Sequence, residues 1–171
     1  MALDDDPLRS RVLTLLDEKG ARRPFATATE GVPPDVQGRR PEAIPYSPWE
    51  LVEHARLAQR DILDYCRPAP GYEQPDWPAD YWPPTPAPPS TDAWDESRSQ
   101  FAEDRRALKT LIEDTDDLHA PVPHTAEETH TYLRQALLVA DHTSYHTGQI
   151  VAVRRLLDCW PPASDRQKNV Y

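Results

Sequence analysis

Apolar residues recur along this chain with the period of an α-helix in four separate stretches. The stretches are residues 6–19, 47–66, 91–118 and 128–158. In each of them one side of the helix is apolar and the other polar, and no stretch shows the strict alternation of a strand. The pattern therefore predicts an all-α protein in which four amphipathic helices pack their apolar sides together.

Three of these helices begin with recognisable start signals. Asp6 is a predicted N-cap, and it precedes a proline that fits the first helical position. Ser47 and Glu50 have the spacing of a capping box. The fourth helix has two candidate caps, Thr125 and Thr131, so we expect it to begin between residues 125 and 131.

Prolines divide the chain into stretches that permit helices and stretches that forbid them. The sequence has 20 prolines, and nine of them lie between Pro68 and Pro89. This proline-rich connection (residues 67–90) is long enough to span a bundle at about 3.1 Å per residue. Residues 21–46 are predicted to be a loop with one short helix around Phe25 to Gly31. The prediction is a single domain over residues 1–171, a four-helix bundle with a long crossover between helices two and three.

Composition narrows the classes of function. A formal net charge of −10 argues against a nucleic-acid partner, because phosphate binding needs a clustered basic surface. No apolar run is long enough to cross a membrane. Cys66 and Cys159 follow the second and fourth helices, and a crossover would place them at opposite ends of the bundle as free thiols. We expect a cytoplasmic protein.

Two histidines lie four residues apart in the fourth helix, within ADHTSYHTGQIVAVRRLL. His142 and His146 share a predicted inward stripe with Leu138, Tyr145, Gln149, Val153 and Leu156. Imidazoles one turn apart can converge on one ion, although such a pair can instead form hydrogen bonds across a core. His54, in the middle of the second helix, is a candidate third ligand. We interpret the other histidines, His119, His124 and His130, as solvated surface residues.

Three imidazoles would leave a coordination position open, as in catalytic metal sites. Zinc, nickel, iron and copper all accept neutral nitrogen ligands and manganese is a further candidate, so the identity of the divalent ion stays open. Protonation of the rings should weaken binding as pH falls through about 6.

Four segments of the chain, followed by Trp160 and Pro161, resemble the DinB-like superfamily. They are SPWELVEHARLAQRDIL, DYWP, WDESRSQFAEDRRAL and LRQALLVADHTSYHTGQIVAVRRLL, and together they cover residues from about 47 to 161. The resemblance implies a four-helix bundle in which His54, His142 and His146 hold a divalent metal. It also implies a small-molecule substrate and a homodimer. Relatives include enzymes that join low-molecular-weight thiols to electrophiles, which favours a thiol S-transferase, with a metal-dependent hydrolase as the alternative.

Few other residues are candidates for the chemistry. Tyr145 and Gln149 share the inward stripe with the histidines, and Glu50 lies one turn before His54. Asp61 and Asp141 are candidates for orienting an imidazole. A structural role is the competing interpretation for each of these residues.

The aromatic residues of the proline-rich connection also allow two interpretations. Tyr72, Trp77, Tyr81 and Trp82 would either form a lid over a pocket or anchor a crossover. A third hypothesis for the whole chain is a non-catalytic binding or stress-response module with a structural or vestigial metal site.

Overall fold

The computed structural model describes residues 7–20 and 23–162 of the chain, and this part is helical. It contains the helices α1 (Pro7–Leu16), α2 (Phe25–Thr29), α3 (Pro34–Gln37), α4 (Pro48–Cys66), α5 (Ala93–Asp114) and α6 (Tyr132–Leu156), and a short 3₁₀ helix (Ala79–Tyr81). The β-structure within these ranges is one isolated antiparallel bridge between Pro121 and Thr131. The prediction of an all-α fold is confirmed.

The four predicted amphipathic helices correspond to α1, α4, α5 and α6, and α2 lies where a short helix was predicted. The predicted cap Asp6 lies outside the described residues. α5 ends at Asp114, four residues before the predicted end at residue 118. The acidic run there, which includes Asp116 and Asp117, is unfavourable at a helix C-terminus because the helix dipole is negative at that end. α3 and the 3₁₀ helix were not predicted.

The start of α4 is fixed by the predicted capping box. Ser47 Oγ accepts a hydrogen bond from the backbone N–H of Glu50 at 3.1 Å, and a Glu50 carboxylate oxygen accepts one from the Ser47 N–H at 2.8 Å. Arg40 also pairs with the Glu50 carboxylate. α6 begins at the second of its two candidate caps, since Thr131 Oγ1 accepts a hydrogen bond from the Arg134 N–H. These contacts fix the first turn of both helices that carry the histidines.

Two apolar cores show the directions of the long helices. The first core joins the first halves of α4 and α5 to the second half of α6, and it includes Trp49, Leu51, Val52, Ala55, Ala93, Trp94, Phe101, Ile150 and Val153. The second core joins the opposite halves and includes Leu63, Leu108, Ile112, Ala136, Val139 and Ala140. α4 and α5 therefore run in the same direction, and α6 runs against them.

The buried face of α6 differs from the predicted inward stripe. It is formed by Gln135, Ala136, Val139, Ala140, Thr143, His146, Thr147, Ile150, Val153 and Arg154. Leu138, Tyr145 and Leu156 of the predicted stripe are exposed. Apolar residues occur on both sides of this helix, so periodicity alone did not fix its rotation. In the first half of the helix the small side chains of Ala136 and Ala140 face the core, whereas the larger Leu137 and Leu138 are exposed.

The two cysteines are free, as predicted, and both are buried. Cys66 ends α4 beside the second core, whereas Cys159 belongs to the first core. None of the helices in the described part of the chain combines the length and the apolar character needed to cross a bilayer.

Candidate metal centre

The three predicted ligands come together between α4 and α6. One ligand atom from each of His54, His142 and His146 lies within 4.8 Å of the other two. The ring centroids of His54 are 5.1 Å from His142 and 4.6 Å from His146, and the two α6 rings are 4.3 Å apart. None of the three ring pairs is coplanar, since their interplanar angles are 59°, 76° and 62°. Three imidazoles arranged in this way are close enough to hold one metal ion.

The ring of His54 is oriented by the proline-rich connection. His54 Nδ1 lies 2.7 Å from the backbone carbonyl oxygen of Tyr81, which can only accept, so Nδ1 carries the proton and donates it. The lone pair of Nε2 is then available to a metal. The Trp82 indole stacks on the same ring, with centroids 3.9 Å apart and an interplanar angle of 6°. Tyr46 stacks in turn on Trp82.

His146 has a buried ring nitrogen without a partner. Its Nδ1 is inaccessible to solvent and makes no hydrogen bond, and the same is true of the nearby Gln149 Oε1. Buried polar atoms are nearly always satisfied in native proteins, so an unsatisfied imidazole nitrogen in this cluster fits a site that takes a ligand. The chemistry of the donor set fits a divalent transition metal, because imidazole nitrogen suits such ions.

All three imidazoles are held in the neutral form that binds metals. Burial, reinforced by the neighbouring imidazoles, lowers the pKa of His142 to about 4 and that of His146 to about 3. Burial also lowers the pKa of His54, against the opposing effect of its hydrogen bond to Tyr81. At neutral pH the nitrogens therefore do not need to lose a proton before coordination.

The surroundings of the triad are aromatic. Among the residues that the structure describes, the group comprises the three histidines, with no fourth His, Cys, Asp or Glu. The Tyr145 ring lies 5.0 Å from His146, and its hydroxyl accepts a hydrogen bond from Gln149. Tyr145 is 63% exposed, so the outer side of the site faces solvent. Tyr145 and Gln149, two of the three candidate catalytic residues, thus adjoin the histidines.

Glu50, the third candidate, has a structural environment. Its carboxylate completes the capping box and pairs with Arg40. Although burial opposes ionisation, the hydrogen bonds from Arg40 and Ser47 hold the pKa of Glu50 below its usual value.

The two acids that were candidates for orienting an imidazole, Asp61 and Asp141, have no hydrogen bond to the histidine triad. Asp61 accepts hydrogen bonds from the hydroxyls of Tyr72 and Tyr81, and Asp141 is exposed. The orienting group of His54 is therefore a backbone carbonyl, which sequence reasoning missed because a carbonyl carries no signal in the sequence. In the sequence, the DYWP segment is distinguished only by the family resemblance.

The remaining histidines differ in part from the interpretation of solvated residues. His119 is exposed, as expected. His124 Nε2 lies 2.9 Å from the backbone carbonyl oxygen of Arg67, and His130 Nδ1 lies 2.9 Å from the hydroxyl of Tyr65. Both rings are half-buried because the loop before α6 folds against the end of α4.

Fold and site together define a class of protein, an all-α bundle with three histidines close enough to hold a metal ion. The family model of the DinB superfamily matches residues 19–150, and the chain belongs to this superfamily. The matched region contains all three histidines. No curated protein and no solved structure matches the chain.

Proposed function

We propose that His54, His142 and His146 hold a divalent metal ion and that the protein is a metal-dependent enzyme acting on a small molecule. The observation that carries the proposal is the convergence of three imidazoles without a fourth protein ligand in the described part of the chain. A structural site would be closed by a fourth ligand, whereas a catalytic site keeps a position open for substrate or water.

The residues of this chain would prepare the site in three ways. His54 would present Nε2, because its Nδ1 proton is committed to the Tyr81 carbonyl. The stacked rings of Trp82 and Tyr46 exclude water from one side of the triad. Tyr145 stands beside His146 on the open side, where its hydroxyl can contact a ligand. A bound divalent ion supplies Lewis acidity, which lowers the pKa of a coordinated thiol or water.

Transfer of a low-molecular-weight thiol to an electrophile is the reaction to test first, on the analogy of relatives. Metal-dependent hydrolysis is the second. We place the activity in the cytoplasm, and the two free cysteines agree with a reducing compartment. We also propose a homodimer by family analogy; the exposed Leu138 and Leu156 on α6 supply an apolar surface for such an interface.

The test is metal binding by the protein purified without an affinity tag. We expect about one equivalent of a divalent metal in the wild type at pH 7.5, measured by elemental analysis. His54→Ala should lose this metal and keep its helical circular-dichroism signal, because the apolar cores are untouched. His119→Ala is the matched control, since it removes an exposed histidine outside the triad and should retain the metal.

A full equivalent of metal in His54→Ala would contradict the three-histidine site. If the metal is present but does not exchange and no thiol or water reaches it, the non-catalytic alternative is favoured. If the metal does exchange, a screen of the metal-loaded wild type for thiol conjugation and for ester or amide hydrolysis would separate the two reaction classes. His54→Ala serves as the blank in both assays.

A further inference from the structure

Tyr81 ties the proline-rich connection to α4 at two points. Its hydroxyl donates a hydrogen bond to Asp61 Oδ2 at 2.6 Å, and its backbone carbonyl accepts one from His54 Nδ1 at 2.7 Å. His54 and Asp61 are seven residues apart on α4, which is about two helical turns, so they lie on the same face. One residue of the connection therefore spans from a carboxylate to a candidate metal ligand.

Asp61 holds two tyrosines at once. Tyr72 donates to Oδ1 at 2.7 Å, and Tyr81 donates to Oδ2 at 2.6 Å. Burial, together with the hydrogen bond to Asp61, raises the pKa of each phenol, so both stay protonated and act as donors at neutral pH. Hydrogen bonds to a carboxylate are stronger than those between neutral groups. Asp61 is thus the main polar anchor of this part of the connection on α4.

The stack on Trp82 cannot by itself fix the His54 ring. Parallel stacking sets the plane of the imidazole, but a flip of the ring by 180° keeps that plane and exchanges the two nitrogen-bearing edges. The hydrogen bond from Nδ1 to the Tyr81 carbonyl removes this ambiguity. That carbonyl stays in place only if the connection stays in place.

We propose that Asp61, acting through Tyr81, positions the His54 ring and thereby sets the metal affinity of the three-histidine site. The inference rests on the proposed metal site and assigns to Asp61 and Tyr81 the role of positioning residues. Groups that orient metal-binding histidines typically change metal affinity by about 10- to 100-fold when removed.

The main variant is Tyr81→Phe, which deletes the hydroxyl oxygen and keeps the ring and the backbone carbonyl. Titration with Zn²⁺ and Ni²⁺ against a chromophoric chelator should show affinity weakened by about 10-fold or more. Tyr72→Phe is the matched control, because it removes a hydroxyl from the same carboxylate but leaves the Tyr81 bond intact. Its metal affinity should equal that of the wild type.

A double-mutant cycle tests whether Asp61 acts through Tyr81. Asp61→Ala should weaken metal binding as much as Tyr81→Phe does, and the double variant should weaken it no further. Additive losses would overturn the proposed route. If Asp61→Ala fails to fold, Asp61→Leu replaces it in the cycle, since it keeps a side chain of similar shape and removes both acceptor oxygens.

A second measurement needs no metal. In the metal-free wild type, nitrogen-15 NMR of the histidine rings should show a His54 tautomer protonated at Nδ1, with a hydrogen-bonded proton in slow exchange. Tyr81→Phe should mix the tautomers or lose that proton signal, whereas Tyr72→Phe should keep it. A wild-type spectrum in Tyr81→Phe would overturn the positioning role.

The outcomes separate this inference from the proposed function. If the wild type binds metal and His54→Ala does not, but Tyr81→Phe binds as tightly as the wild type, the metal site stands and the positioning role fails. If the wild type binds no metal, the proposed function fails, and the NMR comparison of Tyr81→Phe with Tyr72→Phe still decides whether Tyr81 positions the ring.

Discussion

Two groups of buried polar side chains lie in the same bundle, and their hydrogen bonds are arranged in opposite ways. Arg105 on α5 is 7% exposed and donates to Gln59 Oε1 at 2.6 Å, to the Leu16 carbonyl at 2.9 Å and to Thr143 Oγ1 at 2.6 Å. Gln59 donates in turn to the Phe101 carbonyl. This Arg105 network joins α1, α4, α5 and α6 through partners that the protein supplies itself.

The histidine triad has no such set of partners. His54 uses one nitrogen on the Tyr81 carbonyl, while His146 keeps a buried Nδ1 without a partner. A half-satisfied polar group inside a core is costly, and a purely structural role would favour closing it as the Arg105 network is closed. The comparison indicates that the Arg105 network serves stability, and it supports the proposal that the histidine triad binds a ligand.

The largest expected effect on stability comes from removing Arg105, the donor that holds the Arg105 network together. Arg105→Met would leave the Gln59 amide oxygen and the Leu16 carbonyl buried without donors. The free energy of unfolding of the metal-free protein should fall by about 3 kcal/mol. Urea unfolding followed by circular dichroism measures it, and metal affinity of the folded variant should be unchanged.

Arg106→Ala is the control for that experiment, because Arg106 is the exposed neighbour on the same helix. Its unfolding free energy should change by less than about 0.5 kcal/mol. Equal stability of the two variants would remove the distinction between the network and the triad.

A smaller effect on the free energy of unfolding should come from binding a metal ion at the histidine triad. Metal at 100 times its dissociation constant should stabilise the wild type by about 2.7 kcal/mol, provided that the unfolded chain does not bind it. His146→Ala should show no such gain, because it removes one of the three proposed ligands. A metal-induced gain in His146→Ala equal to that of the wild type would contradict the three-histidine site.

The smallest effect is the difference in pH dependence between the metal-free wild type and His142→Gln. The folded pKa is about 4 for His142 and about 3 for His146, whereas an unfolded histidine titrates near its ordinary value of about 6.5. Below that value the unfolded chain binds protons that the folded chain refuses, so the free energy of unfolding decreases as pH falls from about 6.5 towards 4.

Each histidine contributes at most about 1.4 kcal/mol per pH unit, and solvent at the half-buried His142 reduces its share. Urea unfolding of the wild type and His142→Gln between pH 7.5 and 4.5 should show the wild type losing more stability. Parallel curves would contradict the lowered pKa. The lowered pKa values also change the expected pH of metal release. The sequence alone predicted release near pH 6, the value for ordinary imidazoles. With the lowered pKa values, protons should compete with a metal for the ring nitrogens only nearer pH 4.

The contrast also shows what the sequence could reveal. Helical periodicity and the capping signals gave α1, α4, α5 and α6 within a few residues, since these depend on local sequence. Histidine spacing, with the family resemblance, pointed to the side chains that the structure brings together. The rotation of α6 could not be predicted from the sequence, because apolar residues occur on both sides of this helix.

The Arg105 network could not be predicted either. Arg105 lies on a helix whose outer face is mostly charged, and nothing local distinguishes it from the exposed Arg106 beside it. Only the packing of four helices shows which arginine is enclosed. The Tyr81 carbonyl is hidden for a similar reason, since the backbone acceptor that meets His54 is chosen by the path of the proline-rich connection.

The indole of Trp82 stacks on the His54 ring with centroids 3.9 Å apart, so its fluorescence can report on the site. An excited indole is sensitive to charge or an unpaired electron on an aromatic neighbour in contact with it. An ion held by His54 would therefore be sensed by this tryptophan before the other four of the chain, two of which, Trp49 and Trp94, lie buried in the first core. If the site binds a metal ion, paramagnetic copper or nickel would quench the Trp82 emission and closed-shell zinc would not, so Trp82 fluorescence would report which kind of ion is bound.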